Sequence, residues 1–417
     1  MTARPAARLT AADAAPAVAA PSQPPPPGVL AELREKAAAR LDPVHRDFYE
    51  GGAGRETALA DNEAAFRRLA LLPRVLTGAG PALAAVDLPG APGVAPVVVA
   101  PTAFHRLAHP DGERATARAA AAAGAVMVTS MASTTAVAEV AAAAHSVRPE
   151  APVWFQLYLQ PERRVTEVLV RRAEAAGCTA LVVTADSPVF GRRPRDDRNG
   201  FHDLPPGYAA ENMRDLPGGP PGGTRPIAMS PALSWADLRA LRAMTELPVL
   251  VKGVLHPADA RIAVDEGAAG VLVSNHGGRQ LDAAPAAVDA LPAVADAVAA
   301  RIAVLLDGGV RSGSDVVTAL ALGANAVGVG RPVLWGLAAE GEAGVARVLA
   351  ALREETAHVL TLCGAGNPAG VSRDQVVPRG AAAGLRGLPP SADAVPGGAR
   401  PGPAAARSRA EAANRTN

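Results

Sequence analysis

Short apolar runs rich in Val, Leu and Ile alternate along the chain with Ala-rich segments of helical period. Eight runs read as strands: Pro96–Ala100, Ala125–Ser130, Val153–Tyr158, Ala180–Asp186, Pro248–Gly253, Gly270–Ser274, Ala303–Asp307 and Ala326–Gly330. Helical patterns follow them, as at Glu113–Ala123, Glu162–Ala176, Ser234–Met244, Ala258–Glu266 and Ser314–Leu322. Strands that are apolar throughout, alternating with helices, predict a parallel sheet covered by helices. Eight such units favour closure into a (β/α)₈ barrel over an open sheet. A helix around Val29–Tyr49 precedes the barrel.

The pattern also sets the expected boundaries. Residues 1–28 are Ala/Pro-rich and are expected to be a disordered lead, and residues 379–417 a flexible tail. Residues 29–378 form the expected barrel domain. Within it, residues 191–230 carry many Pro, Gly and charged residues, and a long connection of this kind is expected to be a lid.

Composition narrows the function classes. Lys plus Arg total 41 against 40 for Asp plus Glu, and aromatics are 3%, which argues against a nucleic-acid binder. No apolar run approaches the roughly 18 residues that span a bilayer. Cys178 and Cys363 lie far apart and make neither a metal pattern nor a disulfide framework. The expectation is a cytoplasmic protein with no metal, no membrane partner and no nucleic-acid partner.

Chemistry concentrates where such a barrel performs it, at the C-terminal ends of the strands. Those ends carry Pro101-Thr102-Ala103, Ser130, Gln156 and Tyr158, Thr184 and Asp186, Lys252, Ser274 and His276, Asp307, and Gly330-Arg331. The seventh strand runs into Asp307-Gly308-Gly309-Val310-Arg311 and the eighth into Gly330-Arg331-Pro332. Glycines let backbone N–H groups approach an anion, two arginines add charge, and these two loops are the usual phosphate site of the fold. The run Ser274-Asn275-His276-Gly277-Gly278-Arg279-Gln280-Leu281-Asp282 supplies a base suited to neutral pH and a guanidinium suited to a carboxylate. Gly191-Arg192-Arg193 offers a second guanidinium.

These stretches, with Ala100–Ala103, His109-Pro110-Asp111-Gly112-Glu113, Phe155–Tyr158, Thr184–Pro188 and Leu250–Gly253, resemble the FMN-dependent 2-hydroxy-acid oxidase/dehydrogenase family in sequence and in order. The resemblance runs from about residue 30 to about 375. It implies FMN as cofactor, a 2-hydroxy acid as substrate, and a homo-oligomer of four subunits or more. It implies His276 as the base, Asp186 as its partner, and Tyr158 as the phenol on the substrate oxygen. Arg279 and Arg193 would grip the carboxylate, and Lys252 would stand beside the flavin edge where charge collects on reduction. Ser130, Gln156, Thr184 and Ser274 would be flavin contacts, with Pro101, Thr102 and Ala103 on the N5 side. Asp307, Gly308, Gly309, Arg311, Gly330 and Arg331 would hold the ribityl chain and phosphate.

Each assignment has a structural alternative. Asp186 could cap a following helix, Tyr158 could be core packing, and Gln156 and Thr184 could fill the barrel interior. His105 and His109 read as structural.

One departure bears on the substrate. The family's Asp-Tyr-Tyr stretch reads Asp47-Phe48-Tyr49 here, and Phe48 cannot donate the hydrogen bond of the first tyrosine. The family's 4-hydroxymandelate oxidases resemble this chain in carrying Phe there. With Phe104 lining the pocket and Ala132 replacing a bulky residue of glycolate oxidase, the expectation is an aryl or larger aliphatic 2-hydroxy acid. O₂, giving H₂O₂, is the expected acceptor, with another acceptor as the alternative. A Schiff-base aldolase built on Lys252, or a catalytically impaired FMN binder, are the rival readings.

Overall fold

The computed structural model describes residues 28–82 and 84–380. The expected lead, apart from Gly28, and the expected tail beyond Gly380 lie outside them. Eight parallel strands close into a barrel: β1 (Val97–Val99), β2 (Met127–Ser130), β3 (Val153–Leu157), β4 (Ala180–Thr184), β5 (Val249–Lys252), β6 (Gly270–Val273), β7 (Ala303–Asp307) and β8 (Ala326–Val329). Closure is made by β8 on β1, where Val327 pairs with Val97. The (β/α)₈ reading therefore holds, with every strand end at the predicted residue or at most two residues inside it. Three helices precede the barrel, α1 (Val29–Arg40), α2 (Pro43–Glu50) and α3 (Thr57–Arg67).

The expectation of one helix over Val29–Tyr49 is corrected. Pro43 cannot continue a helix and its φ suits a first turn, so α1 ends and α2 begins there. The Asp42 side chain caps α2 by accepting from Val44 N at 2.8 Å.

Alternation along the strands builds two cores. Val98, Val126, Val128, Trp154, Val182, Leu250, Leu272 and Leu305 fill the barrel interior. Their neighbours, among them Val99, Met127, Phe155, Val183, Val251 and Val273, face the surrounding helices. The interior is closed from below by a hairpin, Val86–Leu88 paired with Ala91–Val94, whose Leu88, Ala91 and Val94 pack against it. The segment 191–230, expected to be a lid, holds a short helix Pro194–Asn199 and a turn of 3₁₀ helix at Glu211–Met213. The helical segment after β8, Arg331–Leu362, is broken at Glu340–Gly341, where Gly341 takes φ +62°.

The hairpin turn has no room for a side chain. Gly90 sits at φ +66°, and a Cβ there would lie 2.2 Å from Thr179 O. Gly90→Ala should lower the urea unfolding free energy by about 1–3 kcal/mol. The strand ends expected to hold the cofactor lie at the opposite mouth, so the folded variant should bind FMN as the parent does.

Candidate active site

The interior layers change character at one level. Two residues beyond the apolar layer, the next inward positions are Ala100, Ser130, Gln156, Thr184, Lys252, Ser274, Asp307 and Gly328. They form a polar floor, and its members are joined laterally. The Ser130 hydroxyl donates to Gln156 Oε1 at 2.9 Å, and Gln156 Nε2 donates to Thr184 Oγ1 at 3.0 Å. Lys252 Nζ donates to Ser274 Oγ at 3.1 Å, and Ser274 donates in turn to Asp307 Oδ1. Lys252 Nζ lies 3.3 Å from Asp307 Oδ2. Lys252 is only 4% exposed. Burial disfavours its ammonium, but Asp307 and Asp186 outweigh that and hold its pKa above the usual 10.5. Ala100 and Gly328 are the small members, and a Cβ on Gly328 would lie 3.1 Å from Asp307 Cβ.

Above this floor opens a cavity of about 1080 Å³. Small-molecule sites span roughly 300–1,000 Å³, so this one has room for a large cofactor together with a small acid. His276 faces it from the loop after β6. Its Nδ1 is 2.8 Å from Asp186 Oδ1, which lies beyond the end of β4. A carboxylate accepts there, so Nδ1 carries the proton and Nε2 keeps its lone pair. Burial pushes the His276 pKa below its usual 6.5, with Asp186 offsetting part of that effect. Burial would raise Asp186, but His276 and Lys252 hold it below the usual 3.8. The capping alternative for Asp186 is set aside: no helix begins after Ser187-Pro188 until Pro194.

Two guanidinium groups line the same cavity. Arg279 Nη1 donates to Phe48 O at 2.6 Å and to Gly51 O at 2.7 Å, and its guanidinium stacks 5.0 Å from the Phe48 ring centroid. Both acceptors are neutral carbonyls, and burial drives its pKa well below the usual 12.5. Arg193 stands 3.8 Å from Asp196, and its buried Nε has no hydrogen-bond partner. A carboxylate placed between them would supply the missing acceptor. Arg192 lines the cavity too. The Tyr158 phenol also faces it, and burial raises its pKa above 10.0, so it stays a proton donor.

The chemistry of the other end suits a phosphate. Gly308 and Gly309 take φ of +104° and +85°, and a Cβ on Gly309 would lie 2.1 Å from Asn62 O. Arg311 ion-pairs with Glu63 at 2.9 Å, but its buried Nε is unpartnered. Arg331 donates to Tyr49 O, Gly277 O and Gly51 O at 2.9–3.0 Å. Burial, with Arg311 nearby, pushes it down to about 10. An incoming phosphate would relieve both desolvated cations. These residues, with a buried ammonium at the floor, fit FMN.

The structure thus brings Pro101, Thr102, Ala103, Ser130, Tyr158, Arg193, Lys252, His276, Arg279, Asp307, Gly308, Gly309, Arg311, Gly330 and Arg331 to one cavity wall, with Phe48 and Phe104. Gln156, Ser274 and Asp186 stand behind it, bonded to residues that do line it, and Thr184 stands behind it bonded to Gln156. His105 is buried and bonded to Thr102 and Thr116, a structural role. Three features escaped the sequence reading. The Tyr49 hydroxyl donates to Phe104 O at 2.6 Å, Phe201 of the 191–230 segment packs 5.1 Å from Phe48, and Asn62 backs the glycine cradle. Tyr49 lies in the Asp47-Phe48-Tyr49 stretch but its bond to Phe104 leaves no trace in sequence, and the positions of Phe201 and Asn62 carry no periodic or motif signal that points to a site.

The profile of a family described as FMN-dependent dehydrogenase matches residues 37–378. An L-lactate oxidase of a Nostoc sp. strain is 45% identical over 344 residues, covering 80% of this chain and 94% of that protein. Glycolate oxidase 3 of Oryza sativa subsp. indica is 42% identical over 356 residues, covering 84% and 95%. A solved structure of mandelate oxidase with (S)-2-phenylpropionate superposes with TM-score 0.75 at 42% identity, covering 82% of this chain and 96% of that one. The match extends over nearly the whole barrel with its N-terminal helices, and the chain belongs to the FMN-dependent dehydrogenase family, with FMN as its cofactor.

Proposed function

We propose that this protein oxidises an aryl or larger aliphatic 2-hydroxy acid to the 2-oxo acid, passing the electrons to O₂. The observation that carries the reading is the convergence of the His276–Asp186 pair, Arg279, Arg193 and Tyr158 on the cavity that also holds the phosphate cradle. The relatives named L-lactate, glycolate and mandelate oxidase support the reaction class.

Oxidation removes two electrons and two protons from the hydroxy acid. Arg279 and Arg193 anchor the carboxylate and turn the hydroxyl-bearing carbon toward His276. Tyr158 donates to the substrate hydroxyl oxygen. His276 Nε2 takes one proton, and Asp186 stabilises the imidazolium that results. Lys252 places a fixed positive charge at the floor, where it favours a reduced, negatively charged ring. Bound FMN would supply the acceptor for the two electrons and the second hydrogen. O₂ would then take those two electrons, with that proton and the one released by His276, and leave as H₂O₂. The raised pKa of Lys252 keeps it protonated, which counts against a Schiff-base aldolase.

An aromatic wall supports the aryl preference. Phe48 stacks with Phe104 at 5.9 Å, and both line the cavity with Phe201, Tyr208 and the small Ala132. The relative solved with a phenyl-bearing acid is consistent with that wall.

Anaerobic stopped-flow reduction across aryl, branched and short 2-hydroxy acids tests the reading directly. Aryl acids should reduce the flavin fastest, and air should reoxidise it at least as fast as turnover. Reoxidation slower than turnover with an artificial acceptor would show a dehydrogenase instead. The pH dependence follows from the depressed His276 pKa. The base works when neutral, so the acid limb of kcat/KM should fall below pH 6.5, with activity lost as pH drops through it. Asp186→Asn removes the charge that raises His276. The limb should shift lower still, and the reduction rate should fall by about 10²–10⁴-fold.

A further inference from the structure

Asn62 lies on α3, outside the barrel and behind the cavity wall, and is 3% exposed. It meets two parts of the site at once. Its side chain forms a two-way amide pair with Asn275: Asn62 Nδ2 donates to Asn275 Oδ1 at 2.8 Å, and Asn275 Nδ2 donates to Asn62 Oδ1 at 2.9 Å. Asn275 also donates to Pro285 O at 3.0 Å and accepts from Gly278 N at 3.2 Å. That residue immediately precedes His276, a non-glycine residue held at φ +59°. A left-handed histidine costs about 1–3 kcal/mol and persists only where its surroundings over-determine it. On its other side Asn62 abuts the cradle. A Cβ on Gly309 would lie 2.1 Å from its carbonyl oxygen, and one on Gly308 3.3 Å from its amide nitrogen and oxygen.

We infer that Asn62 is a positioning residue that sets the His276 loop and the Gly308–Gly309 cradle in one register, so that FMN affinity and proton abstraction both depend on it. Apolar packing between α3 and these loops would tolerate sliding. A reciprocal amide pair has one geometry, and its loss leaves buried donors and acceptors unsatisfied. The catalytic half of the claim rests on His276 being the base; the FMN half does not.

Asn62→Asp is the sharpest probe, because it keeps the shape and exchanges one N–H donor for oxygen. Ionised, the carboxylate sets oxygen against Asn275 Oδ1 with no hydrogen between them. Protonated, it donates as the amide did, and burial favours that form. FMN affinity is read from the recovery of flavin fluorescence on dilution of the holoenzyme, always relative to the parent at the same pH. The variant should bind FMN about tenfold more weakly or worse near pH 8, and approach the parent near pH 5. The flavin reduction rate at saturating FMN should follow the same pH course. Asn62→Ala should be weak at both pH values. Should that variant not fold, Asn62→Asp decides alone, since acid restores its bond. Parental FMN affinity and reduction rate in Asn62→Asp at both pH values, with only a lowered Tm, would overturn the inference. A parent protein that no 2-hydroxy acid reduces would instead overturn the functional reading, and the FMN measurement would still decide the role of Asn62.

Discussion

Everything at the mouth of this barrel depends on keeping one ammonium charged inside it. Lys252 ends a strand whose earlier inward residue, Leu250, sits in an apolar core. Desolvating a lone cation there would cost several kcal/mol, and removing one partner of such a pair typically costs about 3–5 kcal/mol. Asp307 from β7 supplies the counter-charge, and Ser274 from β6 bridges the two. The same Ser274 oxygen accepts the main-chain N–H of His276 at 3.0 Å. One buried hydroxyl thereby ties the cation at the cavity floor, the acid at the start of the glycine loop and the loop that carries His276. The three strands that deliver them are hydrogen-bonded neighbours, so their spacing is set by the barrel.

Around that network the labour divides by element. Strand ends furnish the floor, and the loops after them furnish the reactive groups. Much of the remaining wall comes from outside the barrel. Helix α2 brings Phe48 and Tyr49, and its carbonyls hold Arg279 and Arg331. Helix α3 brings Asn62 and Glu63 against the phosphate loop. The segment after β4 is pinned where it passes the site. Gly191 N donates to Gln280 Oε1 at 2.8 Å, and Arg195 reaches Asp47 and Glu56. These bonds join that segment to α2 and to the loop after β6. Arg279 and Arg331 are held by backbone carbonyls and so are oriented before any ligand arrives.

The barrel and its chemical end were legible because both rest on short-range periodicity. Runs such as Ala180–Thr184 are apolar on both faces, as a strand between a core and a helix layer must be, and the polar residues appear two positions later on the inward side. Asp186 and His276 were legible as a pair only through the family resemblance, since 90 residues separate them. Asn62 was not legible at all. Its neighbours Asp61 and Glu63 make it look like a solvated helix face, and only the fold turns it toward Asn275. Phe201 was hidden for a related reason: it sits in a stretch of charges and glycines with no period to place it. The split between α1 and α2 shows the converse, a local signal at Asp42-Pro43 that was present and overlooked.

On the proposed reading one imidazole facing the cavity, that of His276, abstracts the substrate proton. His276→Gln removes that base while leaving the cradle, the floor and the arginines in place. The decisive measurement is anaerobic reduction of its bound FMN by an aryl 2-hydroxy acid. The variant should be yellow, with parental FMN content and a reduction rate lower by about 10²–10⁴-fold. Reduction at the parental rate would rule His276 out as the base.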